Sequence, residues 1–376
     1  QQKPLRTVEF LELRHAHNLA DGAEIRQAAS LRRFSGIDAA RQMAPETPSR
    51  QICRLTDLRL GRNLFNAPQW GVARQMIFVT ACYGRNFTPF LAVLLRSLRK
   101  VHPDNKVVVI YDDLPRKFVE AATQANPSTD FVHKPKIVQG NHGSRAGAKM
   151  DFWREGLGRA DDNVVVFLDS DMLVRSDLSD IMPTDVDIVA TTRSGPWPLN
   201  TGLIAARPTP VVAKFFDLWE FETANIMANA ALLKESIDLS GGPDQHSFYA
   251  VTGIKRNFDR AAVTIGDEKL RLASVACAEY NQSDMASVDA CTRVLHFKSR
   301  WHRVLLKGDD LKAVFPDQRC HTVAEQWLKE RDAEEALLGI RLRLPPIDLL
   351  VRRLSKSLRH FASQQSVKDS KIKPPA

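Results

Sequence analysis

Five apolar residues in succession, Val164-Val-Val-Phe-Leu168, run directly into Asp169-Ser170-Asp171. A segment apolar at every position is buried on both faces, which marks a central strand of a parallel sheet. Three strand–helix alternations precede it. Met76–Thr80 reads as a buried strand, and Thr88-Pro89 opens a helix running to Lys100, with Thr88 as N-cap and Pro89 at the first helical position. A strand over Val107–Tyr111, a helix over 115–125 that stops before Asn126-Pro127, a strand over 130–133 and a helix from Ser144 to Gly156–Gly158 follow. This alternation predicts an α/β fold built on a mostly parallel sheet flanked by helices. Ligands of such sheets bind beyond the carboxyl ends of the strands, so the two aspartates stand where chemistry is expected.

Length and composition limit what surrounds that core. The 376 residues, 44% of them hydrophobic, suffice for one large α/β domain with extensions or for two domains. No stretch of eighteen apolar residues occurs, so no transmembrane helix is expected. Five scattered cysteines without a C-x-x-C spacing fit neither a disulfide framework nor a zinc site, and a reducing, cytoplasmic setting is expected. The chain begins with Gln1, so a Golgi lumen stays open. The sequons at Asn86 and Asn281 are read as chance matches. Of the net charge of +9, the segment from Arg341 onward carries +7, nine Lys/Arg against two acids, leaving +2 for the rest. A body that close to neutral lacks the basic face a nucleic-acid binder needs, and no nucleic-acid partner is expected.

Asp169 and Asp171, one residue apart, would point to the same face if extension continued, making a hard-oxygen site for a divalent ion that bridges phosphates. One rival is a solvated turn. Another is a haloacid-dehalogenase-type phosphatase, in which the first Asp of such a pair is a nucleophile. That chemistry places its motif early and adds a distal Gly-Asp with a spaced second acid, whereas here Gly266-Asp267 is followed at once by Glu268.

An ordered series of motifs surrounds the pair. It comprises Ala148-Lys149-Met150-Asp151-Phe152-Trp153, Phe167-Leu-Asp-Ser-Asp-Met-Leu-Val174, Leu199-Asn-Thr-Gly-Leu203, Pro243-Asp-Gln245, Tyr280-Asn281 and Leu295-His-Phe-Lys-Ser-Arg-Trp301. In order and spacing, over roughly residues 76–305, these resemble glycosyltransferase family 8, the retaining galactosyl-, glucosyl- and glycogenin-type enzymes. The resemblance implies a GT-A, Rossmann-like fold and transfer of a hexose from a nucleotide diphosphate sugar, a UDP-sugar, to a glycan, lipid-linked or protein acceptor. It implies that Asp169, Asp171 and His296 hold Mn²⁺ or Mg²⁺, a mixed oxygen and imidazole set leaning towards Mn²⁺. It also implies that Asn86, Lys149, Asp169, Gly202, Lys298 and Arg300 contact the donor and that Gln245, Asp244 and Asn200 serve catalysis. The sequence departs from the family's pattern after His296, where its Gly and Lys-Pro-Trp are missing, and after the first strand, where only Asn86 and Phe87 fit. A sugar nucleotidyltransferase, or a silent nucleotide-sugar-binding module, is the alternative, although Thr80-Ala-Cys-Tyr-Gly84 is not the Gly-rich loop the former requires.

Three segments are expected: an accessory helical extension over 1–70, a catalytic domain over 71–310 and a helical, basic extension over 311–376. Past Pro345-Pro346, the residues Ile347, Leu350, Val351, Leu354, Leu358 and Phe361 form an apolar stripe at helical spacing, with Arg352, Arg353, Lys356 and Arg359 on the other faces. Such a basic amphipathic helix suits an anionic membrane surface, or it docks on the catalytic domain or a second subunit. Trp153, Trp219 and Phe216 are expected in the core.

Overall fold

The computed structural model of the protein describes residues 75–135, 142–195, 197–254 and 258–342. The expected extension over 1–70 and the amphipathic stripe beyond residue 342 lie outside the described residues. Strand β1 (Met76–Cys82), helix α1 (Thr88–Val101), β2 (Lys106–Tyr111), α2 (Arg116–Ala125), β3 (Thr129–His133) and α3 (His142–Leu157) lead into β4 (Val164–Asp169). Then come β5 (Met172–Val174), β6 (Ile188–Thr192), β7 (Leu199–Ala206), α4 (Pro210–Ala228), α5 (Ala230–Ser240), α6 (Pro243–Thr252), β8 (Arg260–Ile265) and β9 (Glu268–Ala276). A short α7 (Cys277–Tyr280), β10 (Val294–His296), α8 (Arg300–Lys307), α9 (Leu311–Val314) and α10 (Gln318–Leu338) complete the order.

The main sheet runs β3-β2-β1-β4-β7-β6-β9-β8. Strands β1 to β4 are mutually parallel, β7 lies antiparallel between β4 and β6, β9 is parallel to β6, and β8 closes the edge antiparallel to β9. The architecture is the expected α/β one, and the carboxyl ends of β1, β2, β4, β6 and β9 share one edge. Local sequence explains the layers. In β4, Val164, Val166 and Leu168 join the core on one face and Val165 and Phe167 the core on the other, as a two-residue period requires. Trp153, Trp219, Phe215, Phe216 and Phe248 fill the second face, where α3, α4 and α6 pack. Each such side chain contributes about 1.5–3 kcal/mol on full burial.

A third core joins α1 to the C-terminal helices through Phe90, Phe297, Trp301 and Trp327. Glu334 of α10, fully buried, ties the same helices electrostatically, 2.6 Å from Arg99 and 3.6 Å from Arg96. The start of α1 differs from expectation. Phe87 is the capping residue and Thr88 the first helical one, because the Thr88 hydroxyl donates to Arg85 O at 2.6 Å, within the turn over Arg85–Phe87. Among the described residues, no helix is long and apolar enough to cross a membrane.

Gly156 shows how closely α3 lies on the sheet, since a Cβ there would sit 3.1 Å from Val79 Cγ2 and nearer still to Cγ1. Helix propensity favours alanine at such a position by about 1 kcal/mol. Overpacking costs about 1–3 kcal/mol, and Val79 is fully buried with nowhere to move. Gly156→Ala is therefore expected to lower stability in denaturant titration; a stabilised variant would show that the α3–β1 contact is looser than described.

Candidate active site

Strand β4 ends at Asp169, the chain turns at Ser170-Asp171, and it resumes as β5. The expected continued extension is thus replaced by a turn. What aligns the ligands is a separate two-stranded ribbon in which β5 pairs antiparallel with β10, Met172 opposite His296. Phe297 N donates to Asp171 O at 2.9 Å, continuing the ladder past the strand end. His296 Nε2 then lies 3.1 Å from Asp171 Oδ1 and 3.5 Å from Asp169 Oδ2. One donor atom from each of the three residues falls within 4.8 Å of the others.

The network behind His296 fixes which nitrogen carries its proton. Asn281 Nδ2 donates to Thr191 Oγ1 at 2.7 Å, and that hydroxyl donates to Asn200 O at 2.5 Å. Asn281 must therefore present Oδ1 to His296 Nδ1, 2.7 Å away, which makes Nδ1 the donor. Burial, then the Lys298 ammonium, push the His296 pKa below its ordinary value, against the pull of Asp171. A neutral imidazole in this tautomer aims its Nε2 lone pair at two carboxylates. Three electron-rich atoms facing one another at a buried point fit a divalent cation, and residues of this kind suit one that accepts both oxygen and nitrogen.

Cationic side chains frame the cluster. Lys149 Nζ lies 2.9 Å from Asp169 Oδ1 and 3.4 Å from Asp244 Oδ2, donates to Thr201 O at 3.0 Å, and sits 4.4 Å from the centre of the Trp153 ring. Burial opposes its charge, but Asp169 and Asp244 outweigh that and raise its pKa. Asp244 also accepts from Thr201 Oγ1 at 2.5 Å, and despite burial Lys149 and Thr201 hold its pKa low. Lys298 donates to Asn200 Oδ1 at 2.8 Å; burial lowers its pKa, with Asp169 and Asp171 pulling the other way. Burial likewise works against Asp171 ionisation, but in the acid range where Asp171 would take up a proton His296 is already protonated, and it and the His302 hydrogen bond together hold the Asp171 pKa low.

An irregularity places Asn200, Thr201 and Gly202. The β6–β7 register passes from Ala190 opposite Ile204 to Thr191 opposite Asn200, leaving three residues of β7 out of step. Gly202 is required there for a close approach, because a Cβ would sit 2.6 Å from His296 Nδ1 and 2.9 Å from Met172 Cε. These residues lie inside strand β7, near its start. Asn200 Nδ2, fully buried, finds no partner among the described residues, and neither does the Tyr83 hydroxyl.

A cavity of about 510 Å³ opens over the cluster, lined by Asp169, Ser170, Asp171, Lys149, Asp244, Tyr83, Phe87, Ser299 and, from α8, His302, Arg303 and Lys307. Lys298 and Arg300, both expected to contact the donor, are placed differently. Lys298 sits beside Asn200, while Arg300 is exposed at the start of α8 and does not line the cavity. The end of the Gln245 side chain lies beside the backbone oxygens of Leu199 and Ser240, and the amide orientation that satisfies it has the nitrogen donating to both, the latter at 3.0 Å. Asn86 lies in the Arg85–Phe87 turn, half-buried, next to cavity residue Phe87. Sequence reasoning missed His302, whose Nε2 lies 2.7 Å from Asp171 Oδ2. A second histidine six residues after His296 was the available signal. Asn281 is fully buried and bonded to His296, which removes it as a glycosylation acceptor. Gly266-Asp267, the second motif of the phosphatase reading, is an exposed hairpin turn between β8 and β9.

No family model matches the chain, and no curated protein matches it. Solved structures similar to it include the galactosyltransferase LgtC in complex with donor and acceptor sugar analogues, at 14% identity and a TM-score of 0.40, covering 68% of this chain and 100% of that one. The glycosyltransferase GlyE of Streptococcus pneumoniae TIGR4 is similar at 14% identity and a TM-score of 0.43, over 71% of this chain and 63% of that one. The bifunctional glycosyltransferase WbbM is similar at 12% identity and a TM-score of 0.40, over 70% of this chain and 52% of that one. The chain thus spans less than two thirds of the GlyE and WbbM chains.

The site makes metal-free stability depend on pH in a stated direction. His296 titrates below the ordinary 6.5, and Asp171 and Asp244 below 3.8, so in each case the unfolded chain takes up the proton first. Stability in chelator is expected to fall in two stages on acidification, the first starting near pH 6.5 and the second near pH 3.8. The buried His102, also lowered by its burial, shares the first stage. Unfolding midpoints across pH check this: His296→Gln should shrink the first stage, and an unchanged profile would contradict the neutral, Nδ1-protonated imidazole.

Proposed function

We propose that the protein is a divalent-cation-dependent glycosyltransferase that moves a hexose from a nucleotide diphosphate sugar, with UDP as the nucleotide, to a glycan, lipid-linked or protein acceptor. The observation that carries this reading is the buried convergence of Asp169, Asp171 and the His296 Nε2 lone pair beneath a cavity at the carboxyl edge of the parallel strands. A bound Mn²⁺ or Mg²⁺ supplies charge neutralisation for a departing diphosphate. Asp169, Asp171 and His296 would hold it, while Lys149 keeps Asp169 oriented and Asn281 keeps His296 in its tautomer. Arg303 and Lys307 give one wall of the cavity donors and positive charge suited to phosphate oxygens.

Tyr83 lines the cavity, and its hydroxyl, without a partner among the described residues, suits a sugar or ribose hydroxyl. The reading includes retention at the anomeric carbon by transfer on one face of the sugar. In support, Asp244, the carboxylate next to Gln245, is occupied by Lys149 and Thr201 and makes a poor covalent nucleophile.

The test measures nucleotide release from UDP-glucose, UDP-galactose, UDP-N-acetylglucosamine and GDP-mannose with Mn²⁺ and with chelator. Turnover of at least one donor is expected, abolished by chelator and reduced at least about 100-fold in Asp171→Ala and His296→Ala, since even outer partners of a metal cost 10- to 100-fold. Neither binding nor turnover of any donor would end the reading.

The C-terminal stripe is proposed as an anionic-membrane contact, about 1 kcal/mol coming from each basic residue at the surface. Co-sedimentation with phosphatidylserine vesicles is expected for the whole chain and not for one ending at Leu344. Equal recovery of the two would leave the stripe as a packing element.

A further inference from the structure

Asp171 divides its two oxygens between histidines on different elements. Oδ1 faces His296 Nε2 at 3.1 Å, and Oδ2 accepts a hydrogen bond from His302 Nε2 at 2.7 Å. A carboxylate torsion is broad and nearly two-fold, so one such bond is enough to select its orientation. The donor is itself held in place. The His302 ring meets Phe87 edge-on, with centroids 5.2 Å apart at 87°, and Phe90 at 5.0 Å and 61°. Phe90 is fully buried and packs in turn on Trp327 of α10, 5.0 Å away. His302 thus lies with these aromatic rings on one side and the cavity on the other.

We propose that His302 is a positioning residue for the cation site: by occupying Oδ2, it presents Asp171 to the metal through Oδ1 alone. This rests on the metal-dependent reading and deepens it, because it assigns selectivity as well as affinity. Ca²⁺ gathers six to eight oxygens and often takes both from one carboxylate, whereas Mg²⁺ and Mn²⁺ are satisfied by fewer, singly bound donors. A site whose Asp171 offers a single oxygen therefore discriminates against Ca²⁺. Loss of His302 would free Oδ2, loosen the carboxylate and narrow that preference.

The experiment reads metal binding directly, without donor or acceptor. Mn²⁺ affinity of the whole chain is measured by electron paramagnetic resonance, with Ca²⁺ as competitor, for wild type, His302→Ala and His302→Gln. His302→Ala is expected to bind Mn²⁺ about 10- to 100-fold more weakly, in the range typical of lost outer-shell partners, and to be displaced by Ca²⁺ at a lower Ca²⁺-to-Mn²⁺ ratio. His302→Gln retains an N–H at similar reach and is expected to recover most of both properties, which a purely structural role would not produce. Unchanged Mn²⁺ affinity and selectivity in His302→Ala would overturn the proposal. So would an equal loss in the two variants with unfolding midpoints kept, or a loss confined to UDP affinity, which would make His302 a phosphate contact. If the wild type binds no Mn²⁺, the metal-dependent reading itself falls and this proposal with it, a result distinct from the others.

Discussion

The Lys149 ammonium is the charge on which the site is balanced. It reaches Asp169 at the end of β4, Thr201 in the irregular part of β7 and Asp244 at the start of α6, so one cation joins three elements. Without it, Asp169 and the buried Asp244 would lose their shared counter-charge, and removing one partner of a buried ion pair costs about 3–5 kcal/mol. The ammonium lies over the ring of Trp153, part of the aromatic core that α3, α4 and α6 share. The core thereby sets where the ammonium stands, and the ammonium sets how Asp169 is turned.

The second constraint is geometric. The β5–β10 ribbon brings His296 to Asp171 across more than a hundred residues of chain, and the main sheet takes no part in the pairing. Helix α8 leaves that ribbon directly, so the strand that delivers His296 also delivers the His302–Arg303–Lys307 wall. Ser299, at the junction, adopts φ 51°, an uncommon conformation for a residue with a side chain, and it borders the cavity. Such backbone costs of order 1–3 kcal/mol and persists where surrounding contacts over-determine it. Here those contacts are Phe297 and Trp301 in the third core, on either side of the junction.

Elements with a clean period were legible in the sequence. Val164–Leu168 reads as a central strand because every position is apolar, and it is one, buried throughout. Thr88 is not the cap that a hydroxyl ahead of a helix suggests, because local pattern cannot show that the same hydroxyl closes a preceding turn. In the site, the Asp-x-Asp pair was visible as a motif, but the geometry behind its alignment was not, since a turn at Ser170 and a distant ribbon replace the simple extension. Gln245 illustrates the same limit, as its place beside Asp244 in the chain says nothing of the backbone oxygens of Leu199 and Ser240 that its amide meets.

The sequence by itself determined the α/β alternation, the strand end that carries Asp169 and the two-sided burial of β4, because each follows from local periodicity and side-chain solubility. Only the tertiary structure decided that His296 carries its proton on Nδ1, that Lys149 balances two carboxylates and that His302 holds Asp171. Those features depend on distances between residues 15, 95 and 131 positions apart, and hydrogen bonds and charges act over a few ångströms of space whatever the separation along the chain.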